Sequence, residues 1–189
     1  PKISVITPVF NRQDTIEKAV QSVLDQQYPE VEHIIVDSAS TDGTLEKLAR
    51  YDHLHVVSEL DDGIYDALNR GIERATGDIV CLLNSDDIFL PNAFYIVVKA
   101  FADNPDAQSV CGGIRIGSLH QEHTPQQDSV IQDSAIQSLR VRDMISGLTL
   151  TNSRFFLRRF LQNIAGFDIR YPVLSDREFL ARCAFANMN

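Results

Sequence analysis

The stretch Ile79-Val80-Cys81-Leu82-Leu83-Asn84-Ser85-Asp86-Asp87 decides the fold. It is apolar from Ile79 to Leu83, too short for a helix, and it ends in an amide, a hydroxyl and two adjacent carboxylates, which predicts a buried strand running into a polar crevice. In an open, mostly parallel sheet the space beyond the carboxyl ends of the strands is where ligands sit. Two neighbouring carboxylates repel each other unless positive charge lies beside them, and a hard divalent cation with oxygen ligands meets that need. Such a cation brings phosphate with it. The plainer reading is that Asp86 and Asp87 only cap a helix starting near Pro91.

Working outward from this strand, the same alternation repeats. Ile3–Thr7 predicts a strand, followed by a loop at Pro8-Val9-Phe10-Asn11-Arg12 and a capping-box-like Asp14-Thr15-Ile16-Glu17. Ile16, Ala19, Val20, Val23 and Leu24 then make a helical stripe. Val31–Val36 predicts a second strand that stops at Asp37-Ser38-Ala39-Ser40-Thr41-Asp42-Gly43-Thr44, a hydroxyl-rich turn into a short helix. A third strand at Leu54–Val57 leads through the acidic turn Ser58–Gly63 to Ile64, Ala67, Leu68, Gly71, Ile72 and Ala75 at helical spacing. Strand and helix thus alternate three times before residue 84, which calls for parallel pairing with right-handed crossovers. Thr7, Asp37, Asp61 and the Asp86/Asp87 pair are expected to converge at the strand ends.

Past the acidic pair, Phe94, Val97, Val98 and Phe101 predict another helix, and Val110–Leu119 a strand bent at Gly112-Gly113. His120–Gln137 is polar, Gln-rich and without period, as expected of a mobile loop over the site. Arg154-Phe155-Phe156-Leu157-Arg158-Arg159-Phe160-Leu161 is expected to be a helix with a solvated Arg face, and its alternative is a surface for anionic lipid or an acceptor phosphate. Ser175-Asp176-Arg177-Glu178 opens a last helix with a capping-box pattern.

The 189 residues, 44% hydrophobic and 23% charged, suit one compact domain, with a nucleotide-binding half over about 1–90 and an acceptor half over about 91–189. Net charge of -9 and a pI near 4.9 argue against nucleic acid as a partner, because a sequence-independent grip on its backbone needs basic surface. Cys81, Cys111 and Cys183 have no C-x-x-C spacing and read as reduced thiols of a cytosolic protein. No apolar run reaches the ~20 residues of a membrane span, and the start Pro1-Lys2-Ile3-Ser4-Val5, going straight into a strand, is read as leaving no room for a signal peptide. The helical pattern at the end suggests a chain trimmed at its C-terminus. His53 and His55 alternate without a third ligand and are read as surface residues.

Several motifs together resemble family 2 glycosyltransferases, inverting enzymes of the GT-A fold. They are Ser4–Pro8, Ile35–Asp37 running into Ser40–Thr44, Gly63-Ile64-Tyr65-Asp66-Ala67-Leu68-Asn69-Arg70-Gly71, Ala75–Asp78 with Leu83–Asp87, and Gly166-Phe167-Asp168 before Asp176. The similarity is greatest to bacterial members that build exopolysaccharide, capsule or O-antigen. The resemblance implies an α/β fold with a Rossmann-like, mostly parallel sheet flanked by helices. It places Thr7 and Asp37 on the donor's base and Asp61 and Gly63 in the nucleotide pocket, with Pro8, Val9, Asn11, Arg12, Ser38, Asn69 and Ser85 completing the donor site. Asp87, with Asp86, would hold Mn2+ or Mg2+, Asp86 would also lie towards the ribose or donor sugar, and Asp176 would be the general base. A UDP-sugar donor, a saccharide or lipid-linked acceptor, and a cytoplasmic setting at the inner face of the membrane with peripheral attachment follow from the same likeness.

This chain departs from the family pattern at Ser38, where many relatives carry a second Asp. It departs again at Ser175, where the late motif often has Glu, and at Thr151-Asn152-Ser153, near which relatives often have His. Three other classes stay in view. A sugar-nucleotide pyrophosphorylase would need a Gly- and Lys/Arg-rich first loop, and Pro8–Arg12 contains no glycine. A receiver-like signalling domain would put its acidic pair after the first strand. A catalytically silent nucleotide-binding module stays open, because binding motifs do not establish turnover.

Overall fold

Parallel pairing of β1 (Ile3–Val9) with β2 (Val31–Asp37) on one side and β4 (Ile79–Leu82) on the other builds the centre of a six-stranded sheet. β3 (Leu54–Ser58) adds in parallel to β2; β6 (Arg154–Leu157) and β5 (Ser109–Cys111) add antiparallel beyond β4, giving the order β3-β2-β1-β4-β6-β5. The computed structural model describes residues 1–112 and 151–186. The readings of Gly113–Leu119 as strand and of His120–Gln137 as a loop lie outside those residues.

All of β1 is buried, because helices cover both faces of the sheet. Ile16, Ala19, Val20 and Val23 of α1 (Ile16–Leu24) cover one face, and Ala67 and Leu68 of α3 (Ile64–Arg74) pack with Ile6, Ile34 and Val36 on the other. α2 (Thr44–Leu48) adds Leu48 beside Ile16 and Ile35. α3 rides close on β1 at Gly71, where a Cβ would fall inside the contact radius of Ile6 Cγ2. The capping box expected at Asp14–Glu17 is not formed: Thr15 makes no side-chain cap bond and its hydroxyl is buried without a partner among the described residues.

One expectation is overturned. Residues 154–157 are a strand, and only Arg158–Asn163 (α5) are helical. Phe155 and Phe156 point to opposite faces and enter separate core clusters, a period of two that a helix cannot satisfy with both rings buried. Arg154 is correspondingly 5% exposed instead of lying on a solvated face. α4 (Ala93–Asp103) covers this half of the sheet with Phe94 and Val97. α6 (Ser175–Ala186) does so on the other face with Phe179, Leu180, Cys183 and Ala184. Among the described residues no helix is long and apolar enough to cross a membrane. Cys81, Cys111 and Cys183 are free thiols.

At the amino ends of the strands a buried carboxylate holds three segments together. Glu32 accepts from the Ser4 hydroxyl, from Thr76 N (2.6 Å) and Oγ1 (2.7 Å) and from Gly77 N (3.2 Å), and Lys2 Nζ lies 2.6 Å away. Burial by itself raises the pKa of this carboxyl, but the Lys2 ammonium and the hydroxyl and amide donors outweigh it and hold it at about 2. His33, 1% exposed, meets Thr7 Oγ1 at 2.9 Å through Nε2, while Nδ1 has no partner among the described residues. Desolvation lowers its pKa to about 3, so the ring is neutral.

Candidate functional site

The strand ends on the opposite edge open into a cleft of about 560 Å³, lined by Pro8, Val9, Phe10 and Arg12 after β1 and Ser38 after β2. Asp61, Gly63, Ile64 and Ala67 line it at the start of α3, and Asn84, Ser85 and Asp86 after β4. Four parallel strands all stop at one edge, so their following turns are forced together. Of the residues expected at the donor site, Pro8, Val9, Arg12, Ser38, Asp61, Gly63, Ser85 and Asp86 line this cleft. Among the described lining residues Arg12 is the one cation, facing the carboxylates of Asp61 and Asp86 across the same space.

Local bonding shapes this wall. Ser38 Oγ donates to Asp61 Oδ1 (2.8 Å) and Gly63 N donates to the same oxygen (2.9 Å). Asp61 Oδ2 is buried and has no hydrogen-bond partner among the described residues. A carboxylate oxygen left unbonded out of water is costly. Gly63 itself stands at φ +109, ψ -179, a region that only glycine adopts freely, and from it α3 begins.

Four expected donor contacts sit elsewhere. Thr7 and Asp37 are 0% exposed. The Thr7 hydroxyl is engaged with His33. Asp37 accepts from Ser40 N (3.0 Å), the Ser40 hydroxyl and Ser58 Oγ (2.6 Å), so it shapes the β2 turn from beneath and does not line the cleft. The physical reason is strand alternation: Ile6 and Val36 pack with α3, so the neighbouring Thr7 and Asp37 turn to the opposite face of the sheet. Asn11, at φ +51, clamps the first loop to the second through Ser40 Oγ to its N–H (2.8 Å) and Thr41 N to its Oδ1 (2.9 Å). Asn69 bonds both backbone groups of Phe167, donating to its carbonyl (2.8 Å) and accepting from its N–H (2.7 Å).

Asp87 and Asp176 lie off the cleft wall. Asp87 Oδ2 accepts from Asn84 Nδ2 (3.0 Å) and Asn152 Nδ2 (2.8 Å). Asp176, in the first turn of α6, has the Tyr65 hydroxyl 3.4 Å from Oδ1. Burial and then the nearby Asp176 raise the pKa of Tyr65, which keeps it a protonated donor. The capping box read at Ser175–Glu178 is absent, since Ser175 Oγ is buried without a partner among the described residues. Glu178 bonds Arg182 Nε instead, and Arg182 Nη2 reaches Gly166 O at 2.6 Å.

No group of three or more His, Cys, Asp or Glu side chains gathers around one point among the described residues. Asp86 and Asp87 could supply one or two oxygens to a small divalent cation. That is the share expected where substrate phosphate and water complete the octahedron. The sequence reading passed over Phe10, Ile64, Ala67 and Asn84 as lining residues and Tyr65 and Asn152 as partners of the acids. Phe10, 57% exposed on a loop beside polar residues, carried the one readable signal.

A parallel β3-β2-β1-β4 sheet with an antiparallel pair beyond it, and a ligand cleft across the strand ends, defines the GT-A class of transferase folds. The chain belongs to glycosyl transferase family 2, whose sequence profile matches residues 4–170. It is 49% identical over 92 residues to the putative teichuronic acid biosynthesis glycosyltransferase TuaG of Bacillus subtilis (strain 168). That match covers 46% of this chain and 36% of TuaG. The matched segment thus spans about a third of that relative's length. Among solved structures it is similar to S. aureus TarS in complex with UDP-GlcNAc (22% identity, TM-score 0.72, 99% of this chain and 54% of that one). It is also similar to the mannosyltransferase PcManGT from Pyrobaculum calidifontis in complex with GDP-Man and Mn2+ (26%, TM-score 0.70, 97% and 52%).

Proposed function

We propose that this chain is the catalytic domain of an inverting glycosyltransferase that moves a sugar from a nucleoside diphosphate donor to a saccharide or lipid-linked hydroxyl in bacterial surface polysaccharide synthesis. The observation that carries the reading is the unsatisfied Asp61 Oδ2 in a cleft that Ser38, Ser85 and Asp86 also line, within a family 2 fold. Uracil and guanine each present a ring N–H that could satisfy that oxygen; cytosine has no ring N–H on its pairing edge. The likeness to a UDP-GlcNAc complex favours a UDP-sugar, with GDP-sugars as the second choice from PcManGT.

In this reading Ser38 and Asp61 hold the base, Phe10 supplies an aromatic surface beside it, and Asp86 takes a position between ribose and donor sugar. Asp86 and Asp87 would hold Mn2+ or Mg2+. A bound divalent cation neutralises the charge that gathers on the diphosphate as the glycosidic bond breaks. Asp176 accepts the proton of the attacking hydroxyl from the face opposite the leaving group, so one displacement inverts the anomeric centre. Tyr65 holds that carboxylate in place by donating to it.

The test is a thermal-shift panel of UDP, GDP, dTDP and CDP, each with and without Mn2+. A ligand at 100 times its Kd adds about 2.7 kcal/mol of stability. UDP with Mn2+ is expected to stabilise most and CDP least. The absence of any diphosphate effect would move a catalytically silent module to the front.

A further inference from the structure

We infer that Asn152 is a positioning residue for the cation site: it fixes the Asp87 carboxylate by one oxygen and so leaves the other for the metal. The inference rests on the cation reading above and adds a residue to it.

The placement follows from strand direction. β6 runs antiparallel to β4, with Cys81 opposite Phe155, so the residues entering β6 arrive beside the residues leaving β4. Asn152 therefore reaches Asp87 across 65 positions of sequence. Its backbone is held on both sides, by Arg154 N on Thr151 O (3.1 Å) and Gly112 N on Ser153 O (2.8 Å). From the other direction Asn84 closes the local turn, with Asp87 N on Asn84 O (3.1 Å) and Asn84 Nδ2 on Asp87 Oδ2 (3.0 Å).

Both side-chain donors thus converge on Oδ2, and Oδ1 accepts no hydrogen bond among the described residues. The donors are also both neutral. An Arg or Lys here would orient the carboxylate equally well but would cancel the charge a cation needs, whereas two amides orient it and leave that charge intact. Among the described residues Asp87 has no ion-pair partner, so its charge is not already neutralised by a cation of the protein. Outer partners of ligating carboxylates commonly set metal affinity by 10- to 100-fold.

The experiment is calorimetric titration of Mn2+ into the protein with UDP present, for the parent, Asn152→Ala, Asn152→His and Asp87→Asn. Asn152→Leu replaces Asn152→Ala if the smaller side chain lowers the metal-free melting temperature. Removing the amide is expected to weaken Mn2+ by about 10- to 100-fold, leaving metal-free melting unchanged. Asn152→His, which restores an N–H donor, is expected to recover most of the loss. Mn2+ affinity unchanged in Asn152→Ala or Asn152→Leu, while Asp87→Asn abolishes binding, overturns the inference and leaves the cation site standing. A parent that binds no Mn2+ with either UDP or GDP overturns the cation reading and this inference with it.

Discussion

The Tyr65 hydroxyl stands 3.4 Å from Asp176 Oδ1, joining residues 111 positions apart. Tyr65 also stacks on Phe167 at 5.4 Å, and Phe167 on Phe179 at 4.4 Å, so an aromatic column ties α3 to α6 beneath the proposed base. A hydroxyl donating to a carboxylate favours the charged form. Tyr65→Phe removes the donor that holds the carboxylate in place and is expected to slow transfer severalfold, with KM for the donor unchanged. The check is steady-state kinetics of the variant against the parent, which separates kcat from KM.

Asp176→Asn keeps the shape and removes the proposed proton acceptor. Transfer is expected to fall by about 10² to 10⁴, while UDP binding, read by thermal shift, stays at the parent level. Near-parental transfer would assign the proton to another group.

Asn69 offers a structural test. Asn69→Ala leaves both backbone groups of Phe167 without their partners, at a cost of about 1–3 kcal/mol. Gly166 adds to the tightness of that corner, since a Cβ there would overlap Asn69 Oδ1. Denaturant unfolding gives the stability change. Kinetics should show a lower kcat, because the same turn leads to Asp176.

Most of the fold could be read ahead of the structure wherever local pattern and burial agree. Ile16, Ala19, Val20 and Val23, and again Ala67, Leu68 and Gly71, keep helical spacing and are buried as that spacing requires. Arg154–Leu157 could not be read this way. Whether two adjacent phenylalanines alternate across a sheet or share a helix is decided by β4 and β5 on either side, and neither is local to them. At the site, polar residues at strand ends marked the edge where the cleft opens. They did not reveal which face each side chain takes, so Thr7 and Asp37 were counted with Ser38 and Asp61 although they point the other way. Partners from distant sequence, such as Asn152 on Asp87, depend on strand order alone.

Acid should unfold the protein in two stages. His33 titrates near 6.5 when unfolded and at about 3 when folded. The unfolded chain therefore takes up its proton first, and stability is lost as pH falls from 6.5 towards 3. Glu32 adds a second loss from 4.5 towards 2 by the same logic, its folded value being the lower. Each group contributes a slope of up to about 1.4 kcal/mol per pH unit within its window. Unfolding curves measured between pH 7 and 3 should show the first stage disappear in a folded His33→Gln variant.

Close approach at Gly71 can be tested by overpacking. Gly71→Ala is expected to cost about 1–3 kcal/mol, and Ile6→Ala in the same chain should recover part of it, since the clash is with the Ile6 side chain. A double-mutant cycle by denaturant unfolding measures that coupling.

The Glu32 cluster lies at the end of β2 opposite Ser38 and gathers the start of β1 and the entry to β4 around one carboxylate. Its consequence is evolvability. With the strands fastened at one end by bonds remote from the cleft, Ser38, Asp61 and Ser85 at the other, the proposed donor contacts, can drift towards a different base or sugar while the scaffold stays intact. Libraries aimed at new donors would do best to randomise that rim and leave Lys2, Ser4, Glu32 and Thr76 untouched.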